Sequence, residues 1–159
     1  MVKTFVEIGS ADFETCLPLA QAGWKGICVE PVPYLNKRIS DIYKDYSVQV
    51  MEYAISDVSG TLDMAVGRDD RSWIKGCSHI ISDNHIGDKL SLHPDNIGLF
   101  DHKITVNSMT LDDLLYDIKE VDFLKVDAEG HELNIFLNYS FNLKPKIIKV
   151  EHKHVDDIA

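Results

Sequence analysis

The sequence predicts an α/β fold in which helices cover both faces of a mostly parallel β-sheet. Short apolar runs of strand length alternate with amphipathic segments along most of the chain. A strand followed by a helix and then by another strand of the same sheet normally gives parallel strands. The chain has 159 residues, of which 45% are hydrophobic, which is enough for the core of one ordinary domain. We therefore expect a single domain over residues 1–159.

The first half of the chain predicts three strands separated by two helices. Gly9 interrupts the first apolar run, Asp12 is suited to cap the helix that follows, and Gly23 is suited to end it. Pro31 and Pro33 end the second strand. In chain order, we predict a strand over Thr4–Ile8, a helix over Phe13–Ala22, a strand over Gly26–Glu30, a helix over Tyr34–Tyr43 and a strand over Val48–Ile55.

The second half predicts an insertion and then a return to alternating strands and helices. Residues 68–102 carry many turn residues and no sustained periodicity, which is typical of a long lid-like or disordered loop. Thr110 is placed to cap a short helix, with Asp113 at the capping-box position. The other predictions are an antiparallel strand over Thr61–Val66, strands over Ile104–Val106, Phe123–Val126 and Lys146–Val150, and a helix from Gly130 to about Leu137.

The charge of the chain disfavours two classes of partner. Sixteen basic and twenty-six acidic side chains give a net charge of −10, whereas nucleic acids and anionic membranes require basic patches. Three cysteines without CxxC spacing are typical of reduced thiols inside a cell. The N-terminus becomes charged too soon for a signal peptide, and no apolar run approaches ~18 residues. These features predict a cytoplasmic protein that binds neither nucleic acid nor membrane.

Two strand ends predict a site for an adenosine-containing ligand. Gly9 follows the first strand, and Glu30 ends the second strand 21 residues later. A glycine at this turn permits close approach of a ligand, and an acidic residue at about that distance commonly binds ribose hydroxyls. The alternative is a plain turn with a solvated glutamate. The sequence lacks G-x-G-x-x-G and the P-loop, which argues against a nicotinamide oxidoreductase and a triphosphatase and favours an adenosine ligand without pyrophosphate.

A third strand end concentrates ionisable side chains. Four of them follow the predicted strand at Phe123–Val126 at once: Asp127, Glu129, His131 and Glu132. Ligands of open α/β sheets bind at the carboxyl ends of the strands, and acidic groups that are desolvated there usually serve a partner or a reaction. Lys125, inside the strand, is either a proton acceptor or the ion-pair partner of Glu7 or Glu151 on a neighbouring strand.

Six segments in order resemble the FkbM-type S-adenosylmethionine-dependent methyltransferases. They are Val6–Thr15, Val29–Pro33, Ala54–Asp57, Thr110–Leu114, Leu124–Glu132 and Ile147–His152. The most specific of them contains Lys-Val-Asp-Ala-Glu-Gly-His-Glu, and the resemblance covers about Phe5 to His152. It implies a Rossmann-like class I methyltransferase fold, S-adenosylmethionine as cofactor, and methyl transfer, usually to a hydroxyl oxygen.

The resemblance also implies cofactor-binding positions. By position these are Glu7, Gly9 and Ser10 beside the methionine part, Glu30 with Pro31 at the ribose, Ala54, Ile55 and Ser56 near the adenine, and Asp127 facing the sulfonium or the acceptor. An alcohol acceptor must be aligned, shielded from water and relieved of a proton. We expect Asp127 to orient it and His152 or Lys125 to take the proton. A divalent ion is the weaker alternative and is not expected; its ligands would be Asp127, Glu129, Glu151, His152 and His154.

The acceptor and the assembly stay open at this point. We expect a sugar or another small hydroxylated molecule, recognised largely by residues 68–102. The alternative function is a non-catalytic module that binds S-adenosylmethionine or a nucleoside, because Phe13 stands where many relatives carry a second glycine. Since the chain stops soon after its fifth parallel strand, it is a minimal enzyme, a part of a longer chain, or a homo-oligomer whose partner completes the sheet edge.

Overall fold

The computed structural model describes residues 2–11, 15–67, 76–81 and 98–151. The strands in these ranges are β1 Thr4–Ile8, β2 Lys25–Val29, β3 Val48–Met51, β4 Ala54–Ser56, β5 Gly60–Val66, β6 His79–Ile80, β7 His102–Thr110, β8 Phe123–Val126 and β9 Ile148–Val150. The helices are α1 Leu17–Gln21, α2 Pro33–Tyr43, α3 Leu111–Leu115 and α4 Glu132–Asn138.

The main sheet is parallel throughout, with strand order β3-β2-β1-β8-β9. The predicted α/β fold is confirmed, because this five-stranded sheet is flanked by helices on both faces. Because β1, the first strand of the chain, lies at the centre, its carboxyl end is adjacent to the carboxyl ends of β2 and β8. The topology therefore places the three strand ends that the sequence marked next to one another.

The alternation of side chains along β1 assigns residues to the two faces of the sheet. Val6 and Ile8 pack with Leu124, Val126 and residues of α3 and α4 on one face. Phe5 packs on the opposite face with Cys28 and with residues of α1 and α2. Such two-sided burial is expected of a parallel sheet and explains why its strands are almost continuously apolar. Glu7 shares the face of Phe5, so a charged residue lies inside the core there, fully buried.

A second, smaller sheet has the order β4-β7-β5-β6 and is mostly antiparallel. The predicted antiparallel strand over Thr61–Val66 is confirmed as β5, which pairs along its whole length with β7. The prediction of one strand over Val48–Ile55 is wrong. The chain leaves the main sheet after β3, and β4 pairs with β7 in the second sheet instead.

The predicted helices form, with shifted ends. The first is α1, which is shorter than the predicted Phe13–Ala22, and the part around Asp12 and Phe13 lies outside the described residues. Pro18 in its first turn suits a helix start at Leu17. The Thr110 cap is confirmed, because the Thr110 hydroxyl accepts a hydrogen bond from the Asp113 N–H at 3.1 Å.

Two further predictions meet the limits of the described residues. Most of the predicted lid-like insertion, residues 68–75 and 82–97, lies outside them, and its described part contains β6. The other concerns β9, which is an edge strand of the main sheet within the described ranges. All three of its residues are exposed. That a partner subunit completes this edge stays a prediction.

Candidate functional site

A cleft opens where β1, β2 and β8 end; its empty space, including the part open to solvent, is about 620 Å³. Residues that follow these three strands line it: Gly9, Glu30, Pro31, Asp127, Ala128 and Glu129. The charged lining residues within the described ranges are all acidic. The cleft is therefore suited to a ligand that carries positive charge and hydroxyl donors.

Gly9 brings the β1 turn into direct contact with the backbone that follows β8. Its φ is +70°, and a Cβ built there would lie 1.7 Å from the carbonyl oxygen of Asp127. The Gly9 N–H also donates to the Val29 carbonyl at 3.0 Å. A side chain at this position would thus be strained and would separate the turn from Asp127. The glycine is required for the shape of the cleft floor.

Glu30 has its carboxylate fixed by two backbone groups. Oε2 accepts a hydrogen bond from the Ala11 N–H at 3.0 Å, and Oε1 accepts one from the Val32 N–H at 3.0 Å. The alternative of a solvated glutamate is wrong, because Glu30 is only 4% exposed. Glu30 therefore presents a rigidly positioned, negatively charged acceptor group at the cleft wall.

Lys125 lies beneath the Gly9 turn at the centre of a buried ionic group. Its Nζ is 3.4 Å from Glu7 Oε1 and 3.3 Å from Asp127 Oδ2, and it donates to the Gly9 carbonyl at 3.3 Å. Glu7 and Lys125 are register partners of β1 and β8, so their side chains emerge side by side. Burial lowers the pKa of Lys125, but the two carboxylates outweigh it and raise that pKa above its ordinary value. The ion pair with Glu7 predicted as one alternative is confirmed.

Whereas the surroundings of Lys125 favour its charged form, those of Asp127 disfavour its charged form. Burial raises its pKa, and a hydrogen bond shared with Glu151 raises it further, so that it reaches about 6 despite the nearby Lys125. Carboxylate oxygens of Asp127, Glu129 and Glu151 lie within 4.8 Å of one another. A carboxyl that titrates near neutral pH at a cleft wall is suited to accept a proton from a ligand.

His131 connects the segment after β8 to β4. Its Nε2 lies 3.0 Å from the Ser56 hydroxyl and 3.6 Å from Asp57 Oδ1. Burial lowers the pKa of His131, and Asp57 opposes that effect only in part. His131 is buried, since only 3% of the residue is exposed. The contact fixes one end of this segment beside Ala54 and Ile55.

Part of the cleft wall is apolar. Sequence reasoning missed three of its residues: Leu35 of α2, Tyr53 between β3 and β4, and Met64 of β5. Ile80 also lines the cleft and belongs to the insertion over residues 68–102 that was expected to recognise the acceptor. Apolar walls suit an aromatic base. A signal for Met64 was present only as strand alternation, which cannot tell which face of a second sheet borders the cleft.

The predicted site residues divide into two groups. Those that line the cleft are Gly9, Glu30, Pro31, Ala54, Ile55 and Asp127. Those that are buried but are not among the described lining residues are Glu7, Ser10, Ser56 and Lys125. His152 and His154 lie outside the described residues, so the proton-transfer role of His152 and the histidine part of the metal alternative stay predictions.

The comparison with protein families supports the resemblance seen in the sequence. A family model described as the methyltransferase FkbM domain matches residues 5–158. Neither the curated proteins nor the solved structures gave a match. A search for membrane spans over the described part of the chain found no helix with the length and apolar character to cross a bilayer.

Proposed function

The chain belongs to the FkbM methyltransferase family, and we propose that it methylates a hydroxyl oxygen of a sugar or another small molecule. The family implies S-adenosylmethionine as cofactor. The observation that carries the proposal is the single cleft that Gly9, Glu30 and Asp127 line together. These residues come from three different strand ends, and each has a property that the reaction uses.

The residues of the cleft fit the adenosine part of this cofactor. The fixed Glu30 carboxylate lines the cleft, and a carboxylate is a suitable acceptor for the hydroxyls of a ribose. Ala54 and Ile55, with Met64 and Ile80 beside them, offer an apolar wall to an adenine ring. The Gly9 turn, which packs directly against the Asp127 backbone, lines the part of the cleft that we assign to the rest of the ligand.

When bound, S-adenosylmethionine supplies a methyl group on a positively charged sulfur. The acidic lining of the cleft favours that charge, while Lys125 is held below the floor by Glu7 and Asp127. We assign the removal of the acceptor proton to Asp127, because its pKa of about 6 lies close to neutral pH. Lys125, whose pKa is raised, stays protonated and is better suited to hold Asp127 in place than to take a proton.

Calorimetric titration with S-adenosylmethionine and S-adenosylhomocysteine tests the cofactor part. We expect Glu30→Ala to weaken both by about 1–3 kcal/mol, because charge-assisted hydrogen bonds are lost. Glu52→Ala is a matched control, since Glu52 follows β3 much as Glu30 follows β2 but is exposed and does not line the cleft. Absence of binding to well-folded wild-type protein would refute the proposal.

A panel of sugars and simple alcohols tests the acceptor part. Release of S-adenosylhomocysteine is followed for each compound, with the Asp127→Asn variant as the control for enzymatic turnover. Turnover with a hydroxylated compound that is lost in this variant is the expected result. Cofactor binding without turnover of any compound would instead favour the non-catalytic binding module.

A further inference from the structure

The turn between β8 and α4 has an unfavourable backbone. Glu129 has a φ of +49° and Gly130 a φ of +99°. A side chain in the left-handed region is disfavoured, so such a residue persists only where its surroundings hold it. The turn nevertheless forms part of the cleft wall, because Asp127, Ala128 and Glu129 all line the cleft.

The carboxylate of Glu132 bonds two backbone groups of this turn. Its Oε1 accepts a hydrogen bond from the Ala128 N–H at 2.6 Å, and its Oε2 accepts one from the Gly130 N–H at 2.9 Å. Glu132 is only 2% exposed and is not among the described residues that line the cleft. Burial raises the pKa of Glu132, while its backbone hydrogen bonds oppose the shift. Alternate N–H groups of a turn thus surround one buried carboxylate, an arrangement that stabilises an anion.

A plain helix cap does not account for this geometry. Glu132 is the first residue of α4, and an acidic residue there would interact favourably with the helix dipole even if it pointed to solvent. Its oxygens instead bond N–H groups that precede the helix. His131, at the N-cap, makes no side-chain capping bond and contacts Ser56.

We propose that Glu132 is a positioning residue of the methyltransferase site. It acts through the Ala128–Gly130 turn, which it holds in the conformation that directs Asp127 and Glu129 to the cleft. The inference rests on the proposed binding of S-adenosylmethionine in this cleft. It adds a residue that touches neither cofactor nor acceptor and yet sets the affinity for the cofactor.

The test compares the S-adenosylmethionine affinities of Glu132 variants by calorimetry. Glu132→Ala is expected to weaken binding roughly tenfold, about the effect of one lost hydrogen bond to a charged group. Glu132→Gln retains one acceptor oxygen and should recover part of that loss. Ile135→Ala is the matched control, because Ile135 is buried in α4, its side chain cannot accept hydrogen bonds from the turn, and it is not among the described residues that line the cleft. We expect that variant to lose stability while its affinity stays within about twofold of wild type.

A double-mutant cycle separates positioning from general stability. If Glu132 acts through the turn, Glu132→Ala should cost much less affinity in a Glu129→Ala background than in wild type. Fully additive losses, or wild-type affinity in both Glu132 variants, would overturn the inference. If Glu132→Ala fails to fold, the cycle is measured with Glu132→Gln in the wild-type and Glu129→Ala backgrounds, and the same two outcomes decide. Wild-type protein that binds no S-adenosylmethionine would overturn the proposed function, and the role of Glu132 with it.

Discussion

Replacing Asp127 with asparagine should stabilise the protein at neutral pH. The pKa of Asp127 is raised from 3.8 to about 6, so the folded protein disfavours the ionised carboxylate relative to the unfolded chain. Between these values the folded state binds the proton more tightly, and the stability of the wild type therefore falls as pH rises through this window. The displacement corresponds to about 3 kcal/mol at pH 7 and above, as an upper bound. Asparagine resembles the protonated carboxyl and avoids this cost.

Urea denaturation at pH 4 and pH 7.5 measures the effect. We expect Asp127→Asn to exceed the wild type by about 1–3 kcal/mol at pH 7.5, with a difference that shrinks toward pH 4. Asp122→Asn is the control with opposite sign, since the hydrogen bond from Lys146 lowers the pKa of Asp122. If Asp127→Asn is less stable than wild type at pH 7.5 and equal to it at pH 4, the ion pair with Lys125 outweighs desolvation and the reasoning is refuted.

Two further variants test the floor of the cleft. Gly9→Ala should lower the free energy of unfolding in urea by about 2 kcal/mol or more and should also lower cofactor affinity, because its Cβ would meet the Asp127 carbonyl. Gly23→Ala is the control, because Gly23 has a φ of +83° and no atom within 4 Å of a built Cβ. That variant should show the cost of the left-handed backbone without a steric clash. Lys125→Met should lose about 3–5 kcal/mol, because it leaves the Glu7 carboxylate buried without its ion pair. Adding Glu7→Gln should restore part of that loss, and a Lys125→Met protein within about 1 kcal/mol of wild type would contradict the burial argument.

The predictable part of the fold is the part determined by local pattern. Apolar runs bounded by Gly9 and Pro31 were sufficient for β1 and β2. The run Val48–Ile55 was misassigned because its periodicity continues across the bend at Glu52 and Tyr53. The chain turns there into a second sheet whose partner, β7, lies about fifty residues further along. Long-range pairing of this kind leaves no mark in a short window of sequence.

The site was predictable where a residue at a given position has one chemical role. It was less predictable where neighbouring residues of the same type could each fill several roles. The spacing of Gly9 and Glu30 and the acidic end of β8 predicted a ligand site, and the structure has a cleft that these residues line. The separate roles of Glu129 and Glu132 could not be assigned, because both are acidic and both follow the same strand. Only the backbone conformation shows that Glu132 turns back to the Ala128 and Gly130 N–H groups while Glu129 lines the cleft.

The cleft concentrates features that oppose folding. Asp127 is desolvated, Glu129 lies in the left-handed region, and the Gly9 turn approaches the Asp127 backbone too closely for any side chain. The first two are offset by specific contacts, since Lys125 pairs with Asp127 and Glu132 accepts hydrogen bonds from the turn that contains Glu129. A βα turn without a ligand-binding role would need neither these unfavourable features nor the contacts that offset them. Opposite stability changes in Asp127→Asn and Lys125→Met would therefore mark this end of the sheet as one that ligand binding, rather than folding, has shaped.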